Sequence, residues 1–257
     1  MYIKIIIALV LTFAILAFPA SIFNFSPTEA LWFKIGKASL FCFILYKMIR
    51  ELGSNASYPL QQPIQLRSIK ILWLLFVALV LYIVLYFQKI FGHGIHDISV
   101  IALIVTATFL SALGEEFVFR AYIFYVLQKA GKPIYNNLIS SNILFALIHS
   151  INFTKHGDVW SSVNQVAFAF GMGLLLSAVF LLSKNIWLAG IFHCIVNLPA
   201  AFSRFIYVET GAIETELPTT FSENLLSSFL YFLIISPIFM LAWYYLKKIR
   251  KLEKDFV

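Results

Sequence analysis

The sequence predicts an all-α, polytopic membrane protein of about eight transmembrane helices. Of its 257 residues, 61% are hydrophobic and 12% charged, whereas a soluble domain carries roughly 25% charged residues. The apolar residues fall in runs of about 17 to 25, the length that crosses a hydrocarbon core of roughly 30 Å. The cations gather at the ends of those runs. A net charge of +7 placed in this way reflects membrane topology, and nucleic acid is not expected as a partner.

The apolar segments lie at roughly 3–23, 30–49, 69–91, 99–127, 135–151, 160–182, 186–205 and 226–247, each bounded by turn chemistry. The first is not taken as a cleaved signal peptide, because it ends in Phe18-Pro19-Ala20 without a small-x-small pattern and further spans follow. Pro27 closes the first connection, and the polar stretch Gly53 to Gln65, with Pro59 and Pro63, forms the second. Gly92-His93-Gly94, Gly131-Lys132-Pro133, His156-Gly157-Asp158 and Lys184-Asn185 separate the next five segments. Small residues in the sixth, Ala167, Ala169, Gly171 and Gly173, would let another helix approach closely. Gly171-Met172-Gly173 lacks the strand context of a phosphate-binding turn. The whole, 1–257, reads as a single integral membrane domain whose core stretch lies at about 99–205.

Alternate connections differ in cations, as they should if the crossings are counted correctly. Lys47, Arg50, Arg67 and Lys70 bracket the second connection, Lys129 and Lys132 the fourth, and Lys184 the sixth, while Lys247, Lys248, Arg250, Lys251 and Lys254 form the tail. The seventh connection is acidic, with Glu209, Glu214, Glu216 and Glu223 against Arg204. Both termini of a cell-membrane, multi-pass protein are therefore expected in the cytoplasm. Cys42 and Cys194 are too few for a disulfide framework or a four-thiolate metal site. Asn55-Ala56-Ser57 and Asn152-Phe153-Thr154 match the glycosylation pattern, a short signal that arises readily by accident.

Ionisable groups inside a span cost several kcal/mol unless paired or hydrated, which makes them functional candidates. The fourth segment carries Glu115, Glu116 and Arg120, the fifth His149, and the seventh His193 and Asn197. Glu116 and Arg120 are four apart and share a helix face, so they can pair, while Glu115 points about 100° away and stays free. His193 and Asn197 are likewise four apart. At about 1.5 Å per residue from the cytoplasmic boundary, Glu115 lies about 18 Å deep, His149 about 21 Å, Asn197 about 16 Å and His193 about 10 Å. A Glu–Arg pair alone could merely lock a helix, and a lone histidine is usually a hydrogen-bonded core residue. A second carboxylate, two histidines and an asparagine at matched depth call for a common explanation.

At these residues the chain resembles the CPBP family of intramembrane proteases, which includes the type II CAAX prenyl endopeptidases and the bacteriocin-processing and immunity proteins called Abi. The pattern E-E-x-x-x-R stands at Glu115-Glu116 to Arg120, F-x-x-x-H at Phe145 to His149, and H-x-x-x-N at His193 to Asn197, in family order over roughly 99–200. The resemblance implies an intramembrane glutamic endopeptidase whose substrate is a peptide or membrane protein, with or without a lipid group. It implies Glu115 as general base on a water shared with His149, His193 and Asn197 as oxyanion donors, and Glu116 and Arg120 in support. Burial in lipid works against a charged Glu115; Arg120 and a hydrated cavity opening to the cytoplasm are expected to offset this. No cofactor is expected.

Zinc is the alternative, with His149, His193 and a carboxylate as ligands, although no H-E-x-x-H is present and Arg120 is an awkward neighbour for a dication. Two further classes compete: a non-catalytic bacteriocin immunity or accessory membrane protein, and a transporter relaying protons through buried carboxylates. Cys194 diverges by about 100° from His193 and is expected to be packing. His93, His96 and His156 lie at loops on the opposite side from the site, and the cationic tail reads as an anchor to anionic lipid.

Overall fold

A computed structural model describes residues 2–17, 23, 25–53, 70, 72–92, 97–131, 133–152, 159–210 and 221–254. Eight helices and no strand occur among them: α1 (Tyr2–Ala17), α2 (Pro27–Glu51), α3 (Trp73–Gly92), α4 (Ile98–Lys129), α5 (Ile134–Ile148, continued by a 3-10 turn His149–Asn152), α6 (Val159–Ser183), α7 (Ile186–Thr210) and α8 (Phe221–Lys254). Each expected apolar segment corresponds to one helix. Four of the eight, α4, α6, α7 and α8, hold stretches long and apolar enough to cross a membrane by length and composition; α1, α3 and α5 are shorter apolar helices. The all-α membrane architecture stands, while the count of eight crossings rests on the sequence alone. Asn55-Ala56-Ser57, His93, His96 and His156 lie outside the described residues.

Local chemistry sets the helix starts. Ser26 caps α2 in a reciprocal box, its Oγ accepting from Glu29 N–H at 3.3 Å while Glu29 Oε2 accepts from Ser26 N–H at 2.8 Å, with Pro27 at the first helical position. Asp97 caps α4 by accepting from Ser99 N–H at 2.8 Å. Both cap carboxyls are held below their ordinary range, chiefly by the Ser26 and Ser99 hydrogen bonds.

α4 and α7 pack against each other at the centre, α2 covers another side of α4, and α6 is wedged among α5, α7 and α8. The main core runs through these helices, with Phe41, Leu45, Phe119, Phe145, Leu176 and Tyr245 each almost wholly buried. A satellite cluster of Ile104, Phe202 and Phe205 seals α4 against the far half of α7. The apolar surfaces of α1, α3 and α8 stay exposed, for example Ile3, Val80, Leu81, Leu233 and Ile234. Helices that are apolar outward as well as inward suit a lipid solvent. Trp243 and Tyr244 lie beneath Lys247 and Lys248, with ammonium groups 5.4 and 5.9 Å from the ring centroids, the pairing of aromatic and cationic residues found at a membrane interface.

Two departures from ideal helix geometry sit next to the polar residues. Residues Phe117–Ile123 of α4 form a π-helical segment between two α-helical parts, a distortion that even spacing of apolar residues does not reveal. Phe119 C=O accepts from Phe124 N–H, five residues on, and also from Ser141 Oγ–H at 2.5 Å. In α7, Pro199 removes a backbone donor. The carbonyl that loses its helical donor is that of Ile195; its neighbour Val196 C=O accepts from Tyr82 Oη–H of α3 at 2.9 Å.

Candidate active site

The site begins behind the cavity, at a buried charge cluster. Glu116 is fully buried and Arg120 2% exposed; Arg120 Nη1–H donates to Glu116 Oε1 at 3.0 Å, the pair expected from their spacing. Sequence spacing did not indicate how far the guanidinium reaches. Its Nη2 donates to Asn142 Oδ1 on α5 at 3.3 Å and to Gly173 C=O on α6 at 3.1 Å. Its Cζ stands 4.3 Å from the Phe145 ring centroid, a cation–π contact. Arg120 thus joins three helices, beyond the expected role of holding α4 in register. Asn142 is fixed in turn by Leu138 C=O and Ser177 Oγ at 2.9 and 3.0 Å. Gly173 has to be glycine here, because a Cβ would come 2.6 Å from Asn142 Oδ1 and 3.0 Å from Phe145. The small-residue stripe in α6 therefore provides the close approach expected of it.

His193 bridges the two glutamates. Its Nδ1 lies 2.8 Å from Glu116 Oε1, the oxygen that already accepts from Arg120, so the ring is the donor. Its Nε2 lies 3.7 Å from Glu115 Oε2, an oxygen that is buried and has no hydrogen-bond partner. Glu115 faces the interior, not lipid. His149 is oriented by its own helix: Nδ1 donates to Phe145 C=O at 2.8 Å, which leaves Nε2 as the ring's acceptor. The Phe145 ring lies between the two imidazoles, 4.9 Å from His149 and 5.8 Å from His193.

Glu115, His149, His193 and Asn197 all line one cavity of about 520 Å³. Glu116 and Arg120 stand outside its lining. The four candidates from three helices are therefore brought together, with the supporting pair one layer behind. Among the described residues no three of His, Cys, Asp and Glu are grouped as metal ligands would be. His193 Nδ1 is committed to Glu116 and His149 Nδ1 to a carbonyl, so a metal would have only the two Nε2 atoms and Glu115 to draw on. Cys194 is buried with Sγ 4.0 Å from Val105 C=O, a packing position as expected.

The lining of the cavity extends from the site toward one end of the bundle. It continues from Glu115 past Thr108 and Ile104 to Pro27, the first residue of α2, and past Asn197 and Arg204 to Val208, near the end of α7. The turns carrying Lys129 and Lys184 lie at the other ends of α4 and α7. If those cationic turns face the cytoplasm, the described lining extends away from it, whereas an opening toward the cytoplasm was expected; the connections 93–96, 153–158 and 211–220 lie outside the described residues. Sequence reading fixed the depth of each residue from one boundary and had no means of telling which way the void between helices extends.

Residues missed in the sequence are Asn142, Ser177, Lys34 and Arg204. The signal for Asn142 was available, since positions 142, 145 and 149 share one face of α5. Lys34 and Arg204, both on the cavity wall, could be read only as membrane-interface cations.

Residues 97–199 match the model of a family described as Type II CAAX prenyl endopeptidase Rce1-like. No curated protein and no solved structure matches the chain. The matched stretch runs from the Asp97 cap of α4 to just beyond Asn197, and so includes every residue of the three motifs. The resemblance to this group of membrane proteases is borne out over that stretch.

Proposed function

We propose that the chain is an intramembrane endopeptidase that hydrolyses a peptide bond with a water activated by Glu115. The observation that carries the reading is the convergence of Glu115, His149, His193 and Asn197 on one cavity, inside the stretch that matches the protease family. A hydrolase needs an unpartnered base beside a space large enough for substrate, and Glu115 Oε2 is buried and free of hydrogen bonds at that wall.

In this mechanism the water oxygen attacks the scissile carbonyl carbon as Glu115 takes one of its protons. The proton passes through His149 Nε2 to the departing nitrogen as the carbon–nitrogen bond breaks. General-base help of this kind contributes typically about 10²- to 10⁴-fold. Asn197 donates its amide N–H to the tetrahedral oxyanion, and His193 donates through Nε2 when its ring carries both protons. A donor of this type is worth about 3 to 4 kcal/mol. Glu116 and Arg120 hold His193 and Phe145 in place.

The test uses purified full-length protein and a pool of quenched-fluorescence peptides. Glu115→Gln is expected to lower turnover by at least about 10³-fold with an unchanged melting profile, and strong chelation is expected to leave the natural protein active. Cleavage by Glu115→Gln would overturn the assignment; loss of activity on chelation, restored by zinc, would replace the free carboxylate with a metal mechanism.

A further inference from the structure

We infer that the outer half of the cavity is a carboxylate-recognition site in which Lys34 and Arg204 select peptide segments bearing an acidic side chain; this rests on the protease reading. The wall between Glu115 and the end near Pro27 and Val208 is largely apolar, formed by residues such as Leu31, Ile104, Ala201 and Phe205. Lys34 of α2 and Arg204 of α7 both line it. Lys34 is half-buried and Arg204 exposed; Arg204 repels Lys34, and Glu115 attracts it. Neither Lys34 nor Arg204 has an ion-pair partner among the described residues. Two cations on one largely apolar cavity wall, one of them partly desolvated, favour an anion between them.

Position supports a role in substrate choice. Arg204 is seven residues beyond Asn197 on the same face of α7, about 10 Å along the helix axis. An extended peptide covers that distance in about three residues. A carboxylate between Lys34 and Arg204 would therefore lie about three residues from the bond at Glu115, within one continuous cavity. The wall would favour apolar residues, and the cations would require an acidic one at that single position.

The test is binding to the full chain carrying Glu115→Gln, in nanodiscs of uncharged phosphatidylcholine. The probes are rhodamine-labelled, C-terminally amidated decapeptide pools, mixed at every position except one that is Glu in one pool and Gln in the other. The Glu pool is expected to bind about tenfold more tightly, roughly the effect of one partly buried ion pair. Adding Lys34→Met and Arg204→Gln is expected to abolish the difference. A free-acid Gln pool that binds like the amidated Gln pool assigns recognition to side chains; one that matches the Glu pool moves it to the chain terminus and overturns the side-chain proposal. Equal binding of Glu and Gln pools, no binding of either, or a preference that survives both substitutions would also overturn it. Because the variant does not depend on turnover, failure of the protease reading shows in the cleavage assay and failure of this proposal shows here.

Discussion

At the scale of single residues, Arg120 does the most to hold the site together, and it does so from behind. Its guanidinium has a carboxylate, an amide oxygen, a backbone carbonyl and an aromatic face within reach, and only a planar multi-donor head can serve all four. Replacing it by Met would leave Glu116 buried beside His193 without its cation. Arg120→Met is therefore expected to destabilise the protein by about 3 to 5 kcal/mol, and Arg120→Lys by an intermediate amount, measured by thermal unfolding in detergent; a Met variant as stable as the natural protein would remove this residue from the account. The pairing with Glu116 was legible in the sequence because four-residue spacing is a local property. The contacts to Asn142 and Gly173 were not, because they depend on how α5 and α6 pack against α4. For the same reason His193 was legible as a cavity residue, while its position between two carboxylates was not.

At the scale of elements, α6 shows how a stripe of small residues becomes functional. Gly173→Ala would push a methyl group against Asn142, Phe145 and Arg120, at a cost of about 1 to 3 kcal/mol for overpacking, and it should lower turnover as the Arg120 seat shifts. Gly36 in α2 has nothing within 4 Å of a built Cβ. Gly36→Ala is expected to be neutral or to stabilise by about 0.5 to 1 kcal/mol through helix propensity. Comparing the two by melting and turnover separates close packing from a general response of membrane helices to added volume. Helix existence was read well from the sequence, since apolar runs are local signals, whereas the caps Ser26 and Asp97 were not read and α8, Phe221–Lys254, extends beyond the expected 226–247 at both ends. The π-helical segment Phe117–Ile123 was not read, since one extra residue in a turn leaves composition and hydropathy unchanged.

At the scale of the whole molecule, the charge asymmetry of the connections and the extent of the cavity point in opposite directions. The cationic turns carrying Lys129 and Lys184 lie at one end of α4 and α7, and the cavity lining runs toward the other, to Pro27 and Val208. The topology expected from the cations gives a concrete result: a membrane-impermeant maleimide should label Thr28→Cys in intact cells and Lys248→Cys only after permeabilisation, Cys42 and Cys194 being buried. Labelling of Lys248→Cys in intact cells would reverse the orientation and turn that end of the cavity toward the cytoplasm. The central claim, hydrolysis through Glu115, is tested most directly by growing cells with the natural protein or Glu115→Gln in medium containing H₂¹⁸O and sequencing the membrane peptides. The account expects new C-terminal carboxylates carrying ¹⁸O in the first culture and absent from the second. The same peptides, with the same isotope content, in both cultures would contradict it.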